Sequence, residues 1–279
     1  MNHDDGMQVI TLANGKVGLS VCGMKIAIVT PSRRREHIIA TNPFLPIANV
    51  FVHESEFESY QRYFAAKGLL YGTLNTHTAV GSIAKIRNAM IEATWSKEVD
   101  MLMMCDDDVL GMRYIGGRVT YEVRGWRNMM PNIMATALTA REMGAPMFGF
   151  HQSGRPQERS VMLPFEMRSW ISTHTAGLFD RELRFDPQAV SHDDIDYSLQ
   201  ALAKHKFVWR DHRWYVFCVV EGHAKTEGGA SAIRSKENEE REVRYLRGKW
   251  GDDVIVEGVG RGIGITIGVR VPKVGKKPA

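Results

Sequence analysis

Three consecutive carboxylates, Asp106, Asp107 and Asp108, follow directly on the apolar run Met101–Cys105. Like charges side by side repel, and each loses hydration if its surroundings are buried. A solvated turn holds such a triplet at little cost, because Asp is a common turn residue. A divalent cation would instead turn the repulsion into attraction. A second acidic group, Asp193, Asp194 and Asp196, stands in "SHDDIDYSL". Carboxylates favour a helix N-terminus electrostatically, so capping explains that group taken alone. Together the two groups suit a group-transfer site. One set would hold a metal on a diphosphate, and the other would supply a base that activates an acceptor hydroxyl.

Fixed positive charge is available nearby in sequence. Arg33, Arg34 and Arg35 follow Pro31, and Arg87 and Asn88 lie ahead of the acidic triplet. Guanidinium groups would stabilise charge developing on a pyrophosphate leaving group. For at least two of the three consecutive arginines a solvated loop is the simpler account.

Positioning these groups requires strands and helices in alternation. Residues 26–30 form a continuous apolar strand stopped by Pro31, residues 48–54 a second, and Met101–Cys105 a third, unbroken as strands covered on both faces are. Between them, Phe57–Lys67 and 81–95 read as helices, the latter with Ile83, Ile86, Met90 and Ala93 on one face. Further on, 129–143 is helical, 145–150 a short buried strand, 191–204 a helix opened by acidic residues, 207–220 a strand pair or one long strand, and 237–249 a charged amphipathic helix. This alternation predicts an α/β fold on a mostly parallel sheet, in which ligands bind beyond the carboxyl ends of the strands. Asp106–108 and Pro31–Arg35 both fall at such ends.

Asn14-Gly15 between alternating runs predicts an N-terminal hairpin over residues 7–21, and period-two alternation after residue 251 predicts a C-terminal one. The expected organisation is an N-terminal extension (1–23), a central domain (24–250), and a hairpin with a basic tail (251–279). The terminal hairpins could pair with each other or mediate a homo-oligomer.

Bulk properties narrow the class. The 279 residues are 44% hydrophobic and 24% charged, as a globular chain requires. Net charge is +4 with a pI near 8.9, compatible with an anionic substrate. Cys22, Cys105 and Cys218 are odd in number and set in apolar surroundings, which predicts reduced core residues of a cytoplasmic protein (the host cytoplasm, if phage-encoded). No apolar run approaches membrane-spanning length and no secretory leader is visible, so neither a membrane span nor secretion is expected.

The stretch "GSIAKIRNAMIEATWSKEVDMLMMCDDDVL" resembles the centre of GT-A-fold glycosyltransferases. In that family a helix carrying an Arg-Asn pair precedes a strand ending in a DxD motif, and Arg87-Asn88 and Asp106–Asp108 match that order. The resemblance implies a GT-A-like, Rossmann-type sheet and a metal-dependent, inverting hexosyl transfer from a nucleotide sugar, UDP-linked by preference, to a hydroxyl. It implies Mn²⁺ or Mg²⁺ held by Asp106 and Asp108, with donor contacts from Pro31, Arg33, Arg87, Asn88, Asp106 and Asp107. The family's acidic pair beneath the acceptor falls on Asp193-Asp194. Family members often have Glu where this chain has Asp193, which leaves open which of the two is the base, although Asp194 matches the catalytic position. The family's metal-completing histidine falls on His223, with His212 as its rival.

The C-terminal "GGASAIRSKENEEREVRYLRGKWG" is similar to the phage TET-associated glycosyltransferases, which modify hydroxymethylated cytosine in DNA. Gly228-Gly229, Arg234 and residues 249–251 carry that likeness. It implies double-stranded DNA bearing 5-hydroxymethylcytosine as acceptor, which the basic-aromatic run "KHKFVWRDHRW" would suit, although an amphipathic strand explains that run equally well. The alternatives are transfer to a cell-surface glycan or protein, a two-metal nuclease or nucleotidyltransferase built on the same carboxylates, and a non-catalytic DNA-binding module. The lack of helix-turn-helix or zinc-finger patterning counts against the last.

Overall fold

A computed structural model of the chain describes residues 6–116, 119–151, 163–219, 235–258 and 266–269. Strands β1 (Gln8–Thr11) and β2 (Val17–Val21) pair antiparallel. Their turn is closed by the Gly15 N–H donating to the Leu12 carbonyl at 2.9 Å, and Gly15 takes φ 75°, a conformation that glycine adopts without strain. β3 (Met24–Pro31) pairs with β2 over its first half. After the one-turn α1 (Glu36–Ile39), β4 (Ala48–His53) pairs with the second half of β3 in parallel. The Asn49 side chain makes the splice. It accepts from the Val17 N–H at 2.9 Å and donates to the carbonyls of Val17 and Ile28 at 2.8 and 3.0 Å, where β2 gives way to β4.

Helix α2 (Phe57–Lys67), β5 (Thr73–His77), α3 (Ile83–Thr94) and β6 (Met101–Cys105) complete a parallel block in the order β5-β4-β3-β6. Next come β7 (Val109–Gly116), β8 (Val119–Val123), α4 (Trp126–Glu142), β9 (Met147–His151), β10 (Phe165–Glu166) and β11 (Thr175–Leu178). They are followed by α5 (Asp193–His205), β12 (Trp209–Cys218) and α6 (Lys236–Trp250). β11 runs antiparallel between β6 and β9, while β12 pairs parallel to β9 and antiparallel to β7, with β8 at the edge. β13 (Ile255–Gly258) and β14 (Thr266–Val269) form a separate antiparallel ladder.

The expected α/β architecture is present, a central sheet flanked by helices. Its parallel part is the β5-β4-β3-β6 block and the β9–β12 pair, and the remaining neighbours are antiparallel, so the sheet as a whole is mixed. Strand alternation feeds two cores. Ile26, Ile28, Met101 and Met103 face one side with Tyr60 and Phe64 of α2 and Met129, Met130 and Ile133 of α4. Ala27, Val29, Leu102 and Met104 face the other with Met90 and Ile91 of α3, Ile195 and Leu199 of α5 and Val243 and Leu246 of α6.

Two expectations need correction. The inner face of α3 is Ala84, Arg87, Met90, Ile91 and Thr94, rotated from the apolar stripe, and Ala93 is exposed. Carboxylates waiting inside pull Arg87 in. Cys22 is not a core residue. It stands exposed in the β2–β3 turn with φ 49°, whereas Cys105 is buried and Cys218 half-buried; all three are free thiols. No helix among the described residues is long and apolar enough to cross a membrane.

Candidate active site

The parallel block ends its strands along one edge: Pro31 on β3, His53 on β4, His77 on β5 and Cys105 on β6. The acidic triplet begins one residue beyond β6. The Asp106 N–H donates to the His174 carbonyl at 2.9 Å and its own carbonyl accepts from Asn42 Nδ2 at 2.8 Å, so the exit of the strand is held from both sides.

The three carboxylates then part company. Asp107 turns inward and is 5% exposed. It accepts from Ser32 Oγ at 2.7 Å and from Arg35 Nη1 at 3.2 Å, and Ser32 in turn bonds the Tyr60 hydroxyl at 2.8 Å. Burial pushes its carboxyl up to about 6 against the pull of Arg35 and Ser32. Asp106 is partly exposed and takes Arg87 Nη2 at 3.2 Å. Asp108 has no ion pair among the described residues. Burial, reinforced by the charges of Asp106 and Asp107, pushes it up to about 7.

Arg87 joins this triplet to the second acidic group. Its Nη1 donates to Asp193 Oδ2 at 2.6 Å while Nη2 holds Asp106, so one buried guanidinium spans the end of β6 and the start of α5. Burial raises both Asp193 and Asp194, with Arg87 opposing it in each case. Asp193 is buried. Asp194 is half-buried and bonds the Ile195 N–H at 2.8 Å, with no ion pair among the described residues. Asp196 faces away, taking Trp250 Nε1 at 2.7 Å, Gln200 Nε2 at 2.7 Å and Lys249 Nζ at 2.8 Å, which makes it a strut between α5 and α6.

The other sequence candidates separate. Of the three consecutive arginines, Arg33 and Arg34 are exposed, Arg33 lying 4.0 Å from Glu56, and only Arg35 is buried at the triplet. Pro31 closes β3 in register with Phe51. Asn88 makes a two-way bond with the Phe185 backbone, at 2.8 and 2.9 Å. His212 lies within β12 and pairs with Glu166 at 3.0 Å. His223, Gly228, Gly229 and Arg234 lie outside the described residues.

Sequence reasoning missed His174. Its backbone receives Asp106, and burial lowers its imidazole although Asp106 and Asp194 pull it upward. Only the antiparallel return of β11 onto β6 brings it there, a pairing without local signal. It also missed His53 and His77, whose rings meet edge-on at 5.8 Å at the ends of β4 and β5.

Five carboxylates (Asp106, Asp107, Asp108, Asp193, Asp194) thus face two guanidiniums (Arg35, Arg87). The excess negative charge and the hard oxygen donors suit Mg²⁺ or Mn²⁺. The described residues alone do not assemble three donors around one point. A cation there would take its remaining ligands from a diphosphate or from outside the described residues.

No protein-family description matches the sequence, and no curated protein matches it. Solved structures do. S. aureus TarS 1–349 is 14% identical, with 69% of this chain covering 60% of that one at a TM-score of 0.41. The same TarS fragment in complex with UDP is 12% identical, with 80% of this chain covering 66% of that one at 0.44. A197 from STIV is 10% identical, with 71% of this chain covering 87% of that one at 0.39.

Proposed function

We propose that the chain is a metal-dependent glycosyltransferase that moves a sugar from a nucleotide diphosphate donor to an acceptor hydroxyl. The observation that carries this reading is the Arg87 bridge. One guanidinium holds Asp106, at a strand end suited to a metal diphosphate, and Asp193, beside a carboxylate that lacks an ion pair among the described residues. A donor site and a base site are thereby fixed at one separation, which is what a displacement between two bound substrates requires.

Asp108 and Asp106 would hold Mn²⁺ or Mg²⁺, which when bound supplies charge to the departing diphosphate. Arg87 adds fixed positive charge at the same place. Arg35 and Ser32, locked on Asp107, keep the loop after β3 against the triplet. The ends of β3, β4 and β5, with His53 and His77, would receive the nucleoside, since ligands of open α/β sheets bind beyond the carboxyl ends of the strands. Asp194 takes the acceptor proton as the hydroxyl attacks, and in-line attack inverts the anomeric centre.

For the acceptor, hydroxymethylcytosine in DNA rests on the C-terminal sequence likeness. The basic-aromatic run lends it little, because Trp209 is buried, Arg213 pairs with Asp211 at 2.7 Å and Arg210 bonds Ser169 at 2.5 Å. The test is incubation with a panel of nucleotide sugars and Mn²⁺, against hydroxymethylcytosine DNA and glycan acceptors, read by mass spectrometry. UDP-sugars come first, UDP being the nucleotide in the TarS complex. Mass gain of one hexose on an acceptor, or slow donor hydrolysis, supports the reading. Intact donors together with cleaved DNA would replace it with the nuclease.

A further inference from the structure

Inside the first turn of α5, Asp194 takes the Ile195 N–H, but the amides ahead of that turn have no local side-chain acceptor. Its N-cap, His192, makes no side-chain capping bond. The third helical position, from which a Glu or Gln would reach back to the N-cap amide in a capping box, is Ile195. Another helix does that work. Glu242 of α6, 3% exposed, accepts the N–H groups of Ser191 and His192 at 2.7 and 2.8 Å through one carboxylate oxygen. Its other oxygen lies 3.3 Å from His192 Nδ1, and Glu239, equally buried, lies 3.6 Å from Nε2. The far end of α6 is fastened too. Lys249 contacts Asp186 and Asp196 at 2.5 and 2.8 Å, and Tyr245 bonds Asp186.

We propose that α6 is the positioning platform of the acidic pair: Glu242 sets the entry of α5, and His192, clasped between Glu239 and Glu242, is fixed two residues ahead of Asp194, where its charge favours the ionised carboxylate. This rests on Asp194 being the base of the proposed transfer. Two buried carboxylates flanking one imidazole need a cation between them. Among the described residues, the charged groups facing His192 are Glu239 and Glu242 from α6 and Asp194 from its own helix, while Arg87 pairs with Asp193. After burial, which disfavours its charge, the pull of Glu242, Glu239 and Asp194 wins and raises His192; burial raises Asp194, and Arg87 and His192 oppose that rise. His192 and Glu242 are therefore positioning residues that act through Asp194.

The experiment follows the Asp194 carboxyl by ¹³C NMR as pH is varied, in parallel with the pH profile of transfer. In His192→Gln a positive neighbour is gone, so Asp194 should titrate about one unit higher, and the acidic limb of kcat/KM should move up with it. Glu242→Ala should lower kcat about tenfold or more at unchanged donor KM. Glu242→Gln, which keeps an oxygen for both amides, should restore most of it. Should His192→Gln fail to fold, Glu239→Gln provides the milder check: His192 itself must titrate lower once one flanking charge is removed. An unmoved Asp194 titration in folded His192→Gln, or Glu242→Ala that melts earlier with kcat intact, overturns the proposal. A moved titration in a protein that transfers no sugar overturns the transfer reading and leaves the platform standing.

Discussion

The three adjacent carboxylates after β6 are chemically identical, yet Asp107 meets Ser32 and Arg35, Asp106 meets Arg87, and Asp108 is raised by burial and by both of its neighbours. Three adjacent Asp codons carry no mark of which side chain turns inward. The answer lies in Ser32, Tyr60 and Arg35, far away in sequence, which give Asp107 buried partners and leave Asp108 without an ion pair among the described residues. The consequence is a contrast. Asp108→Asn removes the charge of a proposed metal ligand from a site already burdened with like charge, so it should leave the melting temperature unchanged or higher while abolishing Mn²⁺-dependent donor binding by calorimetry. Asp107→Asn breaks its buried pair with Arg35, an effect that costs about 3–5 kcal/mol where one partner of such a pair is lost. Denaturant unfolding should record that loss. Equal stability in the two variants would mean that the triplet is not divided in this way. Asp194→Asn gives the third test: transfer should fall about 10²–10⁴-fold with donor and metal binding retained, whereas a residue that only capped α5 would cost about 1 kcal/mol of stability and spare turnover.

At the scale of elements, the strands and helices with strong periodicity were legible: β3, β4, β6, α2, α5 and α6 fall within a residue or two of their predicted limits. Those missed share a physical reason. β5 is polar because its Thr73 and Asn75 side chains bond Asn49 and the Val50 carbonyl rather than filling a core. The β7–β8 hairpin is stabilised by cross-strand pairs, Tyr114 on Tyr121 and Arg113 with Glu122, which no single-strand pattern displays. α3 is rotated from its apolar stripe because Arg87 turns inward to meet Asp106 and Asp193. β11 has its own local demand. Gly177 lies across the Phe148 ring, where an added Cβ would stand 2.0 Å from a ring carbon. Gly177→Ala should therefore destabilise by about 1–3 kcal/mol in denaturant unfolding. Since β11 places His174 against Asp106, it should also reduce activity more than a surface change of equal stability cost. Wild-type stability in that variant would mean that Phe148 swings aside freely.

For the whole molecule, the site ties stability to pH, and the cation proposed for it would tie that dependence to metal. Asp107 and Asp108 are raised to about 6 and about 7 from an ordinary 3.8. Between about pH 4 and 7 the folded chain therefore holds protons that the unfolded chain has released, and this contribution is present at low pH and lost as pH rises. Other groups run the opposite way: burial lowers His77 and His174, and Lys204 and His205 outweigh burial to bring Asp180 to about 2, so these erode stability as pH falls. The net curve mixes both, and the difference between wild type and Asp108→Asn isolates the first. That difference should shrink in the wild type's favour toward pH 5 and widen against it toward pH 8. A cation bound only by the folded chain should reverse the loss at pH 8, by about 2.7 kcal/mol at a hundredfold excess over Kd. At pH 5 it should do far less, because protons compete for the same oxygens. Thermal melts with and without Mn²⁺ at the two pH values measure all four corners. A melting temperature at pH 8 that ignores Mn²⁺ in the wild type would remove the cation from the triplet, leaving the repulsion among Asp106, Asp107 and Asp108 to be relieved by protons alone.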